Sequence, residues 1–249
     1  MKNILKLLLS TSIIFFSCSS EKTIITNKTM VQNNNSLHTR INKNTATINF
    51  WDFNNNLNGW IDDSANNLKN YFLENGSLKM YTNPNTTERT KIYTSSAYTT
   101  GIYTWNVYVP TMGIGDQASI GAFLYNNDSH ELDFEIGYGK QTVRNDLKAE
   151  SDDLILYMSS QGNPFMSAPV KIKREQSYQL SIELSLNSKK RYIAIWKING
   201  IAMKSLELNY GHKTKFHIFC SMENLPFIGD HLPLNQNYGL FDSVQFTKD

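Results

Sequence analysis

The sequence predicts an all-β domain, an antiparallel sandwich or barrel, on three observations. From Ile48 onward, short runs of β-branched and aromatic residues alternate with polar ones. Turn-forming clusters separate these runs at roughly ten-residue spacing, as at Asn75-Gly76, Asn126-Asn127-Asp128, Gln161-Gly162-Asn163-Pro164 and Asn199-Gly200. No stretch sustains a helical apolar period. The composition agrees. Hydrophobic residues make up 40% and aromatics 12%, enough for a core, while charge is 18%, below the usual ~25%.

In chain order, candidate strands fall at residues 48–53, 71–73, 77–82, 90–95, 101–109, 118–125, 130–138, 154–159, 179–186, 191–198, 201–208, 215–222 and 239–247. The clearest local signal is Asn199-Gly200. It separates two strand-like runs, Tyr192 to Ile198 and Ile201 to Leu206, and Asn-Gly is the favoured two-residue hairpin turn. No internal repeat and no second linker appear, so the 249-residue chain carries one folded domain, over 47–249.

The first 46 residues read differently. Lys2 and Lys6 precede an apolar stretch from Leu7 to Phe16, the size of a signal-peptide hydrophobic region and too short to span a bilayer. Phe15-Phe16-Ser17-Cys18 follows, and it resembles the lipobox of bacterial lipoproteins, with Phe15 where Leu is usual. That resemblance implies a signal peptide over 1–18, acylation of Cys18, export, and anchorage at a bacterial envelope membrane. Residues 19–46 are rich in Ser, Thr and Asn without a period, and read as a disordered tether. Cys220, in Phe216-His217-Ile218-Phe219-Cys220, reads as a buried core thiol. The formal net charge of +2 gives no electrostatic footprint for nucleic acid.

The residues with the most chemical content are His130-Glu131-Leu132-Asp133-Phe134-Glu135-Ile136. On a strand, successive side chains point to opposite faces. Leu132, Phe134 and Ile136 therefore face the core, and Glu131, Asp133 and Glu135 share the other face. Same-face neighbours lie ~6.6 Å apart along a strand, close enough to couple their titrations. Two carboxyls with separated pKa values are what glycoside hydrolysis needs, one ionised and one protonated. Asp133 between them can hold a shared proton. Glu131 and Glu135 are ~13 Å apart along the backbone, whereas a retaining pair needs ~5–5.5 Å between carboxyl groups, so strand twist and side-chain lean must close the gap. The pattern alone also leaves open a solvated sheet face and, behind it, a calcium site.

The segment Glu131-Leu132-Asp133-Phe134-Glu135 resembles the Glu-x-Asp-x-Glu signature of glycoside hydrolase family 16. Four further blocks resemble that family in order: Ser95 to Pro110, Ala118 to Tyr125, Ala194 to Gly200, and Phe241 to Phe246. The resemblance implies a jelly roll of two curved antiparallel sheets, of concanavalin A-like type, with the acids on the concave face. It implies Glu131 as nucleophile, Glu135 as general acid/base, Asp133 as assisting acid, and retaining hydrolysis of a polysaccharide by a monomer. With no residue inserted in the motif, it is similar to the regular-strand branch rather than the bulged laminarinase branch. Family members often carry Trp just before the first Glu and on the strand matching Tyr178 to Leu186; here Asn126 to His130 and Ser181 and Glu183 stand there. A carbohydrate-binding lipoprotein without turnover is the alternative.

Trp105, Tyr138, Arg144 and Arg89 are the candidate substrate-binding residues. Trp105 offers an aromatic face to a sugar, Tyr138 and Arg144 follow the acids closely, and Arg89 opens the strand at 90–95. His130 and His217 read as structural. No cofactor and no catalytic metal are implied. A structural calcium near Asp242 and the Asp52 region is the one cation site the resemblance allows.

Overall fold

A computed structural model describes residues 47–248. The expected signal peptide, Cys18 and the expected tether over 19–46 lie outside the described residues.

Fifteen strands form two antiparallel sheets. In chain order they are β1 (Thr47–Trp51), β2 (Trp60–Asp62), β3 (Tyr71–Glu74), β4 (Ser77–Thr82), β5 (Arg89–Thr94), β6 (Gly101–Val109), β7 (Ala118–Asn127), β8 (His130–Gly137), β9 (Asp153–Ser160), β10 (Met166–Lys173), β11 (Gln176–Leu186), β12 (Arg191–Ile198), β13 (Ile201–Gly211), β14 (His217–Asn224) and β15 (Asn237–Lys248). One sheet runs β13-β12-β11-β6-β15-β4-β3, with β1 added to β15; the other runs β10-β9-β8-β7-β14-β5-β2. The helix α1 (Gln141–Asp146) follows β8.

Alternation builds the interior. Tyr103, Trp105 and Val107 of β6, and Leu132, Phe134 and Ile136 of β8, point between the sheets and are fully buried. Trp196 and Tyr192 of β12 join them. The two buried indoles also link the layers. Trp105 Nε1 donates to the carbonyl of Phe219 (2.9 Å), and Trp196 Nε1 donates to the carbonyl of Asp133 (3.1 Å), which meets the polar requirement of a buried indole. Cys220 is a buried free thiol within this core.

The β12–β13 hairpin turns on Asn199 (φ 50°) and Gly200 (φ 79°), both left-handed as the tight primed turn requires. Two strands escape the sequence reading. β2 has three residues, and β10 (Met-Ser-Ala-Pro-Val-Lys-Ile-Lys) carries Pro169 in its middle. Proline cannot donate to a ladder and is confined to edges, and β10 is an edge strand paired to β9. The six-residue helix α1 is too short to show a period.

Trp105 fills the centre of the interior and holds one cross-sheet hydrogen bond. Trp105→Ala is expected to destabilise the domain by about 3–5 kcal/mol, read as a fall in the urea midpoint at unchanged slope.

Candidate active site

The outer face of the seven-stranded sheet carries the acids. Its register runs unbroken through the motif: Glu131 pairs with Tyr125 of β7, Asp133 with Phe123, and Glu135 with Gly121. On the other side Asp133 pairs with Ser159 and Glu135 with Tyr157 of β9. No bulge interrupts residues 131–137, as the uninterrupted motif predicts. Across the next strand, Phe123 faces Phe219 and Gly121 faces Ser221 of β14. Glu223 of β14 faces Arg89 of β5.

These side chains line a cleft of about 290 Å³ that includes Glu131, Glu135, Glu223, Arg89, Lys91 and Phe227. Its floor is aromatic. Phe123, Phe219 and Tyr93 stack across three adjacent strands at centroid separations of 4.7 and 5.1 Å, nearly parallel at 15° and 18°. Phe123 and Phe219 line the cleft, and Tyr93 continues their stack on β5.

The acids are far less hydrated than an outward-facing strand would leave them. Asp133 is 1% exposed and Glu135 7%. Burial, then the charge of Glu223, pushes the Glu131 carboxyl up to about 7. The same two causes, in the same order, push Glu135 up to about 8, against the hydrogen bond it accepts from Ser119. Burial, then the charges of Glu131 and Glu135, holds Asp133 well above the carboxylate range, although its Oδ2 accepts from Gln161 Nε2 at 2.7 Å. Its Oδ1 has no hydrogen-bond partner among the described residues. Gly121 makes this arrangement possible: a Cβ there would stand 3.0 Å from Glu135 Oε1 and closer still to Ser221 Oγ.

The structure thus brings Glu131, Asp133, Glu135 and Arg89 to one place. Three other candidates lie elsewhere, and the substrate-contact expectation is corrected for each. Trp105 is fully buried between the sheets, on β6 of the other sheet. Tyr138 is buried with its ring 3.9 Å below the Arg144 guanidinium. Arg144, 4% exposed, donates to the carbonyls of Tyr138 and Asp153, both at 2.7 Å, and of Glu150. It pins the α1 loop to β9, with three of its five N–H groups committed to backbone carbonyls. Ser181 and Glu183 also sit on the other sheet, where Glu183 pairs with Lys197. His130 and His217 are structural: His217 Nδ1 lies 2.6 Å from the Thr94 carbonyl, and the His130 ring packs on Tyr210.

Sequence reasoning missed Glu223, Ser119 and Phe227. Glu223 left a signal. In β14, Phe219, Ser221 and Glu223 alternate with the buried Ile218, Cys220 and Met222, which puts a carboxylate on the face opposite the core.

Asp52 and Asp242 line separate grooves. Asp52 accepts from the backbone N and Nδ2 of Asn54 (3.1 and 2.7 Å). Among the described residues, one group of three acids could hold a cation: Glu150, Asp152 and Asp153. The Lys173 ammonium already sits 2.8–3.1 Å from all three.

No protein-family model and no curated protein matches the chain. Solved structures do. The β-glucanase of Bacillus licheniformis superposes with a TM-score of 0.60 at 14% identity, over 82% of this chain and 100% of that one. The laminarinase catalytic domain of Thermotoga maritima gives 0.59 at 13%, over 82% and 98%. The Crh5 transglycosylase gives 0.57 at 12%, over 81% and 84%. The chain therefore shares the two-sheet, concanavalin A-like jelly-roll fold of these structures.

The raised carboxyls make stability pH-dependent. Glu131 and Glu135 bind protons more tightly folded than unfolded, so their contribution is present below the unfolded value of 4.5 and is lost as pH rises to about 7 and 8. The melting temperature is expected to fall between pH 5 and pH 8.5, and Glu135→Gln to shrink that fall. An equal fall in the variant would count against the buried protonated acid.

Proposed function

We propose that this chain is a retaining glycoside hydrolase acting on a β-glucan-like polysaccharide. The observation that carries the reading is the placement of Glu131 and Glu135 on one face of one strand in one cleft, with both carboxyls raised by burial, to about 7 and about 8. Carboxyls poised there can give and take a proton at working pH, and the resemblance of the motif assigns Glu131 as nucleophile and Glu135 as acid.

In the first step Glu135 gives its proton to the glycosidic oxygen while the Glu131 carboxylate attacks the anomeric carbon. The bond to the leaving sugar breaks and a glycosyl ester forms on Glu131. Glu135, now ionised, takes a proton from water, which attacks the same carbon and frees Glu131. A sugar hydroxyl in place of water would give transfer instead. Asp133, buried between them with its carboxyl pushed well above the usual range by burial and by both glutamates, resists adding a third negative charge to the cleft. The shared fold with glucanases and a transglycosylase supports this reading.

Product analysis on laminarin, lichenan and other β-glucans tests it. Retention predicts that the β-anomer appears first at the new reducing end. Glu131→Gln and Glu135→Gln should each lower turnover by at least about 10²–10⁴-fold with the melting temperature kept or raised. Binding without product at high protein load would favour a non-catalytic carbohydrate-binding protein.

We also propose export and lipid anchorage through Cys18, resting on the Leu7 to Cys18 segment. In a bacterial host the full chain should incorporate labelled palmitate and fractionate with membranes. Cys18→Ser should abolish the label; a labelled variant would sink the assignment.

A further inference from the structure

A buried acid in the cleft has no part in the two-carboxyl mechanism. Glu223 is 6% exposed, stands on β14, and lines the cleft with Glu131 and Glu135. Structure alone would avoid a fourth carboxyl here, since like charges in a poorly hydrated site repel strongly.

Its surroundings differ from those of the other acids. Arg89 faces it directly on the neighbouring strand, with Nε 3.7 Å from its carboxylate. Lys91, one same-face step along β5, also lines the cleft, with its ammonium 3.1 Å from Asp63. On its other side Glu223 pairs with Ser119 of β7, whose hydroxyl donates to Glu135. Polar groups therefore run across the sheet from β5 to the proposed acid: Arg89, Glu223, Ser119, Glu135. Gly121 leaves the space over which Glu135 reaches toward β14.

We infer that Glu223 is a positioning residue of this site: a buried carboxyl partnered by Arg89 across the β5–β14 pairing, whose negative charge, when it is ionised, keeps the proton on Glu135. The inference rests on the glycosidase reading for its purpose, but its electrostatic content stands apart from activity. Glu223 contributes the largest charge effect on both Glu131 and Glu135, whereas Lys91 and Arg89 oppose the rise that burial imposes on Glu223 itself. The remaining charged groups facing the cleft are Asp63, Asp128 and Asp133. Asp63 is paired with Lys91 at 3.1 Å, Asp128 accepts from Tyr125 at 2.7 Å and acts on Glu131 less strongly than Glu223 does, and the Asp133 carboxyl is pushed well above the usual range. With Glu223 charged, ionising Glu135 would place two anions side by side, so the proton stays.

The test is a pH titration of glutamate carboxyl carbons by NMR in the folded protein, for the wild type, Glu223→Gln and Arg89→Met. In Glu223→Gln the two late-titrating carboxyls should shift to lower pH. In Arg89→Met, a substitution at a half-exposed side chain, the Glu223 transition should shift to higher pH. Late transitions unmoved in folded Glu223→Gln would overturn the inference. If that variant does not fold, an unmoved Glu223 transition in Arg89→Met would do so. The pH–rate profile on laminarin should move with the same sign. A wild type that releases no product from any β-glucan would sink the enzymatic reading alone, since the NMR shifts do not depend on turnover.

Discussion

Three side chains of β8 must be dry, and the rest of the site follows from that. Leu132, Phe134 and Ile136 are fully buried between the sheets, each removing apolar surface worth about 1.5–3 kcal/mol. A one-residue slip in register would turn all three to the outer face and drive Glu131, Asp133 and Glu135 into the interior. Packing thus fixes which way the acids point, and the Trp196 hydrogen bond to the Asp133 carbonyl locks the strand at its midpoint. The carboxyls are aimed by the hydrophobic face behind them.

What the outer face then does depends on its neighbours across the sheet. Gly121 and Ser119 on β7 are small enough for Glu135 to lie down over them. Phe123 and Phe219 take water away from Asp133 on its own rung. The result is a poorly hydrated cleft in which carboxyls keep protons at a pH where exposed ones have lost them. Arg89 and Lys91 enter from β5, at the far side, and bias that balance from outside.

The sequence conveyed what is local in the chain. Alternation gave the sides of β8, and Asn199-Gly200 gave a hairpin whose two residues have the left-handed φ expected. Strand bounds at 101–109 and 191–198 agree with β6 and β12. What failed is non-local. Whether Trp105 faces sugar or core depends on which sheet β6 joins, and a single strand's pattern does not state that. Tyr138 and Arg144 sit close to the acids in sequence, yet the chain turns after Gly137 and uses Arg144 to brace a loop. Glu223 is nearly ninety positions from Glu135 and meets it through two strand pairings, so no spacing rule could have joined them.

The proton inventory of the cleft reaches beyond its chemistry. An unfolded chain at neutral pH has ionised glutamates, whereas the folded chain holds protons on Asp133 and, in part, on Glu131 and Glu135. Closing the sandwich at neutral pH therefore draws hydrogen ions out of the medium, and opening it returns them. Folding and local acidity are coupled reactants in this protein, and the heat measured for its unfolding includes the ionisation heat of whatever buffer accepts those protons.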